Sequence, residues 1–500
     1  MRSVLFLMLI LGLTCGDEPL RPGLADDLVR IDAVVRAAHE TGATAGLGVG
    51  IAVDGRAAYT AALGKADASA DISASADTYW YLASTSKSLT GFGIALLSER
   101  GLVNPDAPIS DYLPAAEWPE GVNPRELTVA DFLGHTHGLG NGPVVLSAAF
   151  TGAFPESEHG RLLRFSEPGS RELRYSNTGY NVAALVISSQ QPEGWKAFLA
   201  DEVYAPAGMS ETFAQVSGLD PRRIAVPHDI RSSGSIFSVP FVKTDLTMNA
   251  AGGHLATIAD LTRWTIVQMD GGRIDGEQVF PEDAVRSAHR ILREQDREFA
   301  FFQRDGWGMG WDVGSFRGEH MVSRFGSYNT TRSHLSFLPE HRIGVVAMTN
   351  GPSGSILTDI IAAYAYDVFL GHDDADSLAF ARLDEVRTQT ADIPRRVAEF
   401  EEVQRARSRP YPRPLADYAG TYTDEAFGAI TFAEVGDTLA ISWGVLSGPT
   451  TVFNAENHQL RHELLGGGSV VTFVFDGPGH AVAIETFGRR VPYDPRGTGR

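Results

Sequence analysis

Ser84 and Lys87 stand three residues apart at the start of an apolar run, and their side chains could form a nucleophile and its base. Residues three apart on a helix share one face, so the hydroxyl and the amine can meet without help from the rest of the fold. The apolar run from Leu89 to Leu97 is followed by Gly101, which predicts a buried helix ending in a left-handed glycine cap. Unpaired N–H groups in its first turn would stabilise negative charge developing at Ser84.

Two further short motifs accompany this pair. A Ser-x-x-Lys spacing alone is a weak indicator, since average composition produces about one in a chain of this length. Tyr175-Ser176-Asn177 follows later, and Arg324-Phe325-Gly326-Ser327 opens a candidate strand. By itself Tyr175 would be a half-buried packing aromatic, and Asn177 a helix cap. Their occurrence with Ser84 favours one shared site.

In order and in flanking sequence, the three motifs resemble those of the serine β-lactamase and penicillin-binding-protein family. The tyrosine of the middle motif is similar to the branch that contains class C β-lactamases, D-alanyl-D-alanine carboxypeptidases and related esterases. The resemblance implies acyl transfer through a covalent acyl-enzyme, with Ser84 as the nucleophile. It implies neither a cofactor nor a metal.

The same resemblance implies roles for the neighbouring residues. A serine hydroxyl is unreactive at neutral pH, so Lys87 must be transiently neutral or Tyr175 transiently a phenolate. Because a positive neighbour favours the phenolate and disfavours a second ammonium, we expect these two groups to share one proton, which Tyr175 returns to the leaving group. Asn177 would orient Lys87 and the substrate amide. The oxyanion would lie between the backbone N–H groups of Ser84 and Ser327.

Arg324 departs from the family pattern, which has lysine or histidine at this position. Gly326 keeps the glycine of the motif, and with Ser327 it is assigned to the oxyanion side of the site. Arginine can grip a carboxylate at two points, but it is longer than lysine and cannot donate a proton. Either Arg324 recognises an acidic substrate terminus and steadies the Tyr175 phenolate, or the pocket has changed and ordinary β-lactam turnover is lost. A glycine usual a few residues later is also missing.

His135 and His137 raise the alternative of a metal site. Catalytic zinc takes at least three protein ligands, and no third ligand with suitable spacing stands out. The segment also resembles the family's His-Thr-Ser-Gly-Leu stretch, with His137 where serine is usual, and that stretch is largely structural. We therefore expect no metal. His254, which follows a glycine pair, lies either near the pocket or in a structural position.

The flanking sequence predicts the elements that position these motifs. Leu24 to His39 has helical spacing, and the alternation from Leu47 to Val53 leads into an Asp54-Gly55 turn and a returning strand. Glycines on one face of the first strand suit the close approach of a helix. Later strands have short connections, which demand antiparallel neighbours. We predict an α+β fold with an antiparallel sheet flanked by helices and a mostly helical subdomain.

Changes in composition divide the chain into four parts. Residues 1–23 are expected to be a signal peptide or lipoprotein anchor with a tether, and residues 24–371 the hydrolase domain. Residues 372–409 are charged and predict a helical linker. Residues 410–500 contain short strands separated by glycine and aspartate turns, and resemble the small β-barrel often appended to family members.

Composition and charge indicate a globular protein and argue against binding to nucleic acid. The 500 residues are 43% hydrophobic and 21% charged, as in ordinary globular proteins, and the formal charge of −20 argues against a nucleic-acid surface. The apolar stretch from Val4 to Leu13 is too short to span a bilayer and suits an export signal. Cys15, the single cysteine, follows in an imperfect lipobox. We expect export to the periplasm or cell envelope, with either lipid attachment at Cys15 or cleavage nearby.

Two functions from different classes remain open. One is an exported serine hydrolase that cleaves an amide or ester in a small molecule or peptide, such as a β-lactam, a D-amino-acid peptide or a small ester. The fold does not separate these substrates, because one fold hosts all three activities. The other is a catalytically silent protein that keeps the pocket to bind cell-wall peptide or another ligand, for which the altered Arg324 is the reason. The sequence leaves the oligomeric state open.

Overall fold

The computed structural model describes residues 21–352, 354, 356–407, 410–465 and 468–496. Cys15 and the apolar stretch before it lie outside these residues. The described chain forms a large antiparallel sheet with helices packed on its two faces, a helical region beside it, and an eight-stranded barrel-like unit near the C-terminus. The predicted α+β fold is confirmed.

The sheet is built from strands at both ends of the first 350 residues. Its order is β11-β12-β13-β14-β15-β16-β1-β2-β3, with antiparallel neighbours throughout. In chain order the strands before the barrel are β1 (Gly46–Val53), β2 (Arg56–Asp67), β3 (Ile72–Ser73), β4 (Trp80–Tyr81), β5 (Thr212–Phe213), β6 (His228–Ile230), β7 (Ile236–Ser238), β8 (Leu255–Ala256), β9 (Arg273–Ile274), β10 (Glu277–Gln278), β11 (Arg293–Phe299), β12 (Phe302–Trp307), β13 (Asp312–Phe316), β14 (Glu319–Tyr328), β15 (Thr331–Leu338) and β16 (Ile343–Thr349).

The helices cover the sheet and form the subdomain beside it. They are α1 (Leu24–His39), α2 (Ser86–Glu99), α3 (Ile109–Tyr112), α4 (Val129–Leu133), α5 (His159–Leu162), α6 (Thr178–Gln190), α7 (Trp195–Leu199), α8 (Ile258–Met269), α9 (Glu282–His289), α10 (Leu357–Phe369), α11 (Ala375–Arg407) and α12 (Leu415–Tyr418). A π-helical segment spans Val144–Phe150. No helix in the described residues is both long enough and apolar enough to cross a membrane.

The predicted hairpin of β1 and β2 is confirmed, and its two faces explain the layers. Asp54 and Gly55 have φ of 51° and 78°, the left-handed backbone that a tight two-residue turn requires. Leu47, Val49 and Ile51 are fully buried in the core shared with α1 and α10. The opposite face carries glycines, and α8 packs directly on them. This is the close approach of a helix that the glycines predicted.

Helix α2 is the buried centre of the helical region. Its residues from Ser86 to Leu97 are all buried, and Gly101 has a φ of 68°, which confirms the predicted glycine cap. The helix begins later than the sequence predicted. Ser84 lies in a one-turn 3-10 helix, Ala83–Thr85, which leads directly into α2. The i, i+3 relation of Ser84 and Lys87 is kept across this junction.

The charged segment after residue 372 forms the 33-residue helix α11. Its first half is more than a solvated linker, because Ala375, Ala379, Leu383 and Val386 are buried in the core that α1 and α10 share. Small and apolar residues three or four apart form this stripe, although the overall composition is charged.

The C-terminal strands form a nearly closed barrel whose neighbours follow chain order. They are β17 (Gly420–Asp424), β18 (Gly428–Val435), β19 (Thr438–Trp443), β20 (Leu446–Asn454), β21 (Gln459–His462), β22 (Ser469–Val474), β23 (Ala483–Thr486) and β24 (Arg489–Pro492). A bridge between Tyr422 and Tyr493 links the first and last strands. The Val445 N–H donates to the Thr151 carbonyl at 2.7 Å, so the barrel packs against the segment that follows the π-helix.

We expect Gly50→Ala to destabilise the protein, because α8 leaves no room for a side chain on this face of β1. A Cβ at Gly50 would lie 2.2 Å from Thr262 Oγ1 and 2.9 Å from Ile258 Cγ2. Overpacking of this kind costs about 1–3 kcal/mol. Thermal denaturation should show a lower midpoint than that of the unaltered protein.

Gly160→Ala is the matched control, since a Cβ there would meet Ala116 at an ordinary 3.7 Å within α5. Its denaturation midpoint should be unchanged or slightly higher. Equal effects of the two substitutions would contradict the close approach of α8.

Candidate active site

Ser84 lies beside the cleft, in a turn whose backbone is in close contact with strand β14. Ala83 has a φ of 48°, a left-handed conformation that is uncommon for alanine and costs about 1–2 kcal/mol. A Cβ at Gly326 would lie 2.3 Å from the Leu82 carbonyl oxygen and 2.9 Å from the Thr85 nitrogen. Strand β14 therefore touches the turn at a position where only glycine fits. This contact fixes the backbone around Ser84 and explains the glycine of the third motif.

The three reactive side chains named from the sequence meet at one point. The hydroxyl oxygens of Tyr175 and Ser84 are 2.6 Å apart, and Lys87 Nζ lies 3.2 Å from Ser84 Oγ. Tyr175 is 41% exposed while Lys87 is fully buried. The phenol therefore stands at the cleft surface, and the amine lies beneath the serine. Ser84 Oγ has a proton acceptor within direct reach, as nucleophilic attack requires.

Lys87 is surrounded by hydrogen-bond acceptors. Besides Ser84 Oγ, its Nζ donates to Asn177 Oδ1 at 2.7 Å and to the Ala251 carbonyl at 2.6 Å. These contacts can use all three donors of an ammonium, and a neutral amine could instead accept from Ser84. Burial lowers the pKa of Lys87 to about 8. Both protonation states are therefore accessible near neutral pH.

Arg324 joins Tyr175 to the backbone of the serine. Its Nη2 donates to Tyr175 Oη at 3.1 Å, its Nε donates to the Ser84 carbonyl at 3.0 Å, and its Nη1 contacts Asp312 Oδ2 at 3.3 Å. Burial raises the pKa of Tyr175, but the charges of Lys87 and Arg324 oppose this and bring the pKa below its ordinary value. Arg324 as a residue is 3% exposed, and its guanidinium is turned inward towards Tyr175, Ser84 and Asp312. This geometry suits Arg324 to stabilising the Tyr175 phenolate better than to binding a substrate carboxylate.

His135 and His137 support the site as neutral packing groups. The Ser176 N–H donates to His135 Nδ1 at 3.1 Å and the Leu139 N–H donates to His137 Nδ1 at 3.0 Å, so both rings carry their proton on Nε2. Burial lowers the pKa of His135 far below its usual value, and that of His137 to about 4. The His135 ring packs on Tyr175 with centroids 4.8 Å apart. Within the described residues, no group of three or more histidine, cysteine, aspartate or glutamate side chains could hold a metal ion.

His254, the other histidine considered from the sequence, is buried in the core and does not line the cleft. Its ring packs against Trp195 and Tyr204, and burial lowers its pKa to about 3. Its carbonyl accepts from the Leu82 N–H at 2.9 Å, just before the serine turn. Of the two positions that the sequence left open, the structure shows the structural one.

The cleft brings Ser84, Asn177 and Ser327 to a common surface. Tyr81, Phe150 and Tyr328 form the apolar wall beside them, and Lys243 lies among these rings. The sequence did not identify Lys243, Ala251 or Asp312, because each acts through partners far away in the chain. One signal was visible for Lys243: lysine occurs only at positions 65, 87, 196 and 243, and this one stands in the apolar stretch Phe241-Val242-Lys243.

Comparisons with known proteins agree with this geometry. Residues 31–364 match the family model described as Beta-lactamase, and the chain therefore belongs to this family of β-lactamase-like serine hydrolases. The resemblance found in the three motifs is confirmed. Protein flp of Staphylococcus aureus (strain MW2) is 21% identical over 333 residues, which cover 65% of this chain and 63% of that protein.

Two solved structures share the fold. The octameric penicillin-binding protein homologue from Pyrococcus abyssi has a TM-score of 0.59 and 18% identity, and the match covers 94% of this chain and 99% of that one. The D-amino acid amidase from Ochrobactrum anthropi SV3, solved with D-phenylalanine, has a TM-score of 0.58 and 18% identity over 69% of this chain and 99% of that chain. At this identity the likeness shows the fold alone.

We expect Arg324→Met to move the reactivity of Ser84 to higher pH. Removing the charge beside Tyr175 Oη lets the pKa of the phenol rise, so less phenolate is present at neutral pH. Because each unit of pKa changes the reactive fraction tenfold, we expect Ser84 to react with a fluorophosphonate about 10–100 times more slowly at pH 7. The rate measured from pH 6 to 10 should recover partly at the alkaline end.

Arg304→Met is the control for this substitution. Arg304 Nε lies 3.6 Å from Asp312 Oδ1, so this change also removes a cation beside that carboxylate. In the described residues Arg304 forms no hydrogen bond to Tyr175 or Ser84. The Arg304→Met variant should therefore react with the fluorophosphonate with the same pH midpoint as the unaltered protein. A shared shift in both variants would assign the effect to Asp312 and contradict a direct action of Arg324 on the phenol.

Proposed function

We propose that this protein is an exported serine hydrolase that is acylated at Ser84 and cleaves an amide or ester bond. The observation that carries the proposal is the 2.6 Å contact between Ser84 Oγ and Tyr175 Oη, beside two buried cations. Membership of the β-lactamase-like family supports it. β-Lactams, D-amino-acid peptides and small esters are the substrate classes that we propose to test.

The proposed reaction uses Tyr175 twice. As a phenolate stabilised by Lys87 and Arg324, it takes the Ser84 proton while Oγ attacks the carbonyl carbon. The Ser84 and Ser327 N–H groups stabilise the oxyanion, to which each donor of such a site contributes about 3–4 kcal/mol. Tyr175 then gives the proton to the departing amine or alcohol. Water enters and loses a proton to Tyr175 as its oxygen attacks the acyl carbon. Tyr175 then gives that proton to Ser84 Oγ as the ester bond breaks, which releases the acid and restores the phenolate.

Export and domain organisation belong to the same proposal. The apolar stretch Val4 to Leu13 supports a signal peptide, and Cys15 supports lipid attachment to the cell envelope. We propose a hydrolase domain over 24–371, joined through 372–409 to a barrel over 410–500. The burial of α11 and the barrel contact at Thr151 support a fixed rather than a free arrangement of these parts.

A catalytically silent binding protein is the second candidate, and the position of Arg324 is the observation that favours it. The guanidinium is committed to Tyr175, Ser84 and Asp312, so it cannot also provide the two-point grip on a substrate carboxylate. A pocket altered in this way could keep a ligand without turning it over.

Labelling with a fluorophosphonate separates the two candidates. We expect the protein to be labelled on Ser84, with the adduct located by peptide mass, because the neighbouring phenolate activates this hydroxyl. Ser84→Ala should abolish labelling. A panel of β-lactams, p-nitrophenyl esters and D-amino-acid amides then assigns the substrate class.

Ser86→Ala is the matched control, since Ser86 lies in the same turn and its buried hydroxyl has no hydrogen-bond partner in the described residues. It should be labelled at the rate of the unaltered protein. Binding of cell-wall fragments by intact protein that takes no label would support the silent alternative.

A further inference from the structure

Lys243 is a buried cation in the wall of the cleft that the proposed reaction does not use. Only 8% of the residue is exposed, and its Nζ lies 4.6 Å from the Tyr328 ring centroid and 5.1 Å from that of Phe150. The Tyr81 ring is 5.9 Å away. Within the described residues its one hydrogen bond is long, with Nζ donating to the Ala149 carbonyl at 3.4 Å. An ammonium in such surroundings has lost most of its water, and the three rings attract it through cation–π contacts but supply no negative charge.

No carboxylate in the described part of the chain forms an ion pair with this charge. Among the described residues Lys243 forms no ion pair, whereas Lys65 pairs with Asp71 at 2.7 Å. The residues that line the cleft include Lys243 and no aspartate or glutamate, although the chain as a whole carries a formal charge of −20. The cleft is therefore a cationic site in an acidic protein, and such a site attracts anions.

We propose that Lys243 is the receptor for a carboxylate of the substrate, and that this residue sets the specificity of the cleft. The inference rests on the proposed hydrolase function and names its substrate class: an amide or ester that carries a free carboxylate near the bond to be cleaved. The carboxylate enters the aromatic wall, pairs with Nζ, and supplies the counter-charge that the described lining of the cleft does not contain.

The position of Arg324 supports this division of roles. Arg324 is the cation that the sequence offered for an acidic substrate terminus, but its donors face Tyr175, Ser84 and Asp312. Lys243 also carries a charge in the cleft lining, and in the described residues it has no ion pair and one long hydrogen bond. A lysine ammonium accepts a carboxylate as a point charge, which suits a group that approaches along the cleft.

The groups that face Lys243 allow a clear pH signature. Burial lowers the pKa of Lys243 to about 8, raises the pKa of Tyr328 to about 12, and raises the pKa of Tyr81 well above its ordinary value. The two tyrosines stay neutral through the range in which the lysine loses its charge. Lys87, with a pKa of about 8, titrates in the same range, so the comparison must be made between matched substrates.

The experiment uses pairs of substrates that differ only in charge. One pair carries the group on the acyl side: mono-p-nitrophenyl glutarate and its methyl ester. The other carries it on the leaving side: an acetylated D-alanyl-D-alanine with a free C-terminus and its C-terminal amide. At pH 7 we expect at least one charged member to have about tenfold higher kcat/KM than its neutral partner, since one ion pair of modest strength gives such a factor.

Lys243→Met should abolish this preference while retaining turnover of the neutral member. The preference in the unaltered protein should also decline from pH 7 to pH 9, and in the variant it should be flat. Lys65→Met removes a surface lysine outside the cleft and should keep the preference. A preference that survives in Lys243→Met, or that is absent from both pairs, would overturn the proposal.

Binding and stability give readouts that do not depend on turnover. Monomethyl glutarate should bind to Ser84→Ala protein by calorimetry and fail to bind when Lys243→Met is added; equal binding to both would refute the receptor. Lys243→Met should also melt at the same or a higher temperature, with the gain shrinking from pH 8 towards 10.5, because the charged form alone is penalised by burial. Absence of fluorophosphonate labelling would instead contradict the hydrolase.

Discussion

The site depends on one electrostatic arrangement: a phenol placed between two cations that the protein has removed from water. Desolvation by itself would raise the pKa of Tyr175, as it does for the fully buried Tyr180, whose pKa lies above the ordinary value. Lys87 and Arg324 reverse that effect at one position. Burial also lowers the pKa of Lys87 to about 8, so the pKa values of the amine and of the phenol are both below their ordinary values.

Close backbone packing holds these charges in place. Gly326 lets β14 reach the serine turn, and Gly310 plays the same part behind Lys87, where a Cβ would lie 2.1 Å from the Lys87 carbonyl oxygen. Gly310 also has a φ of 92°, which favours glycine. Neither glycine touches the reacting atoms. Both set the distance between the sheet, which carries Arg324, and the helix, which carries Lys87.

The sequence predicted what is encoded locally and missed what depends on distant partners. The spacing of Ser84 and Lys87, the hairpin turn at Asp54 and the bare glycine face of β1 each follow from neighbours in the chain. The inward orientation of Arg324 depends on Asp312 and Tyr175, which come from two other segments. The motif around Arg324 therefore could not show whether it binds a substrate carboxylate. Lys243 lies in a turn-rich stretch, and its aromatic surroundings come from three separate parts of the chain. The buried stripe of α11 was hidden by its charged composition.

The pKa of Tyr175 tests the account most directly. Carbon-13 label at the tyrosine Cζ position reports each phenol's ionisation by NMR, and the Tyr175→Phe variant identifies the signal of interest. The account predicts that this signal titrates below 10, the ordinary value for tyrosine, while the buried tyrosines of the core remain protonated. A Tyr175 signal that titrates at or above 10 would contradict it, because Lys87 and Arg324 would then fail to favour the phenolate over the phenol.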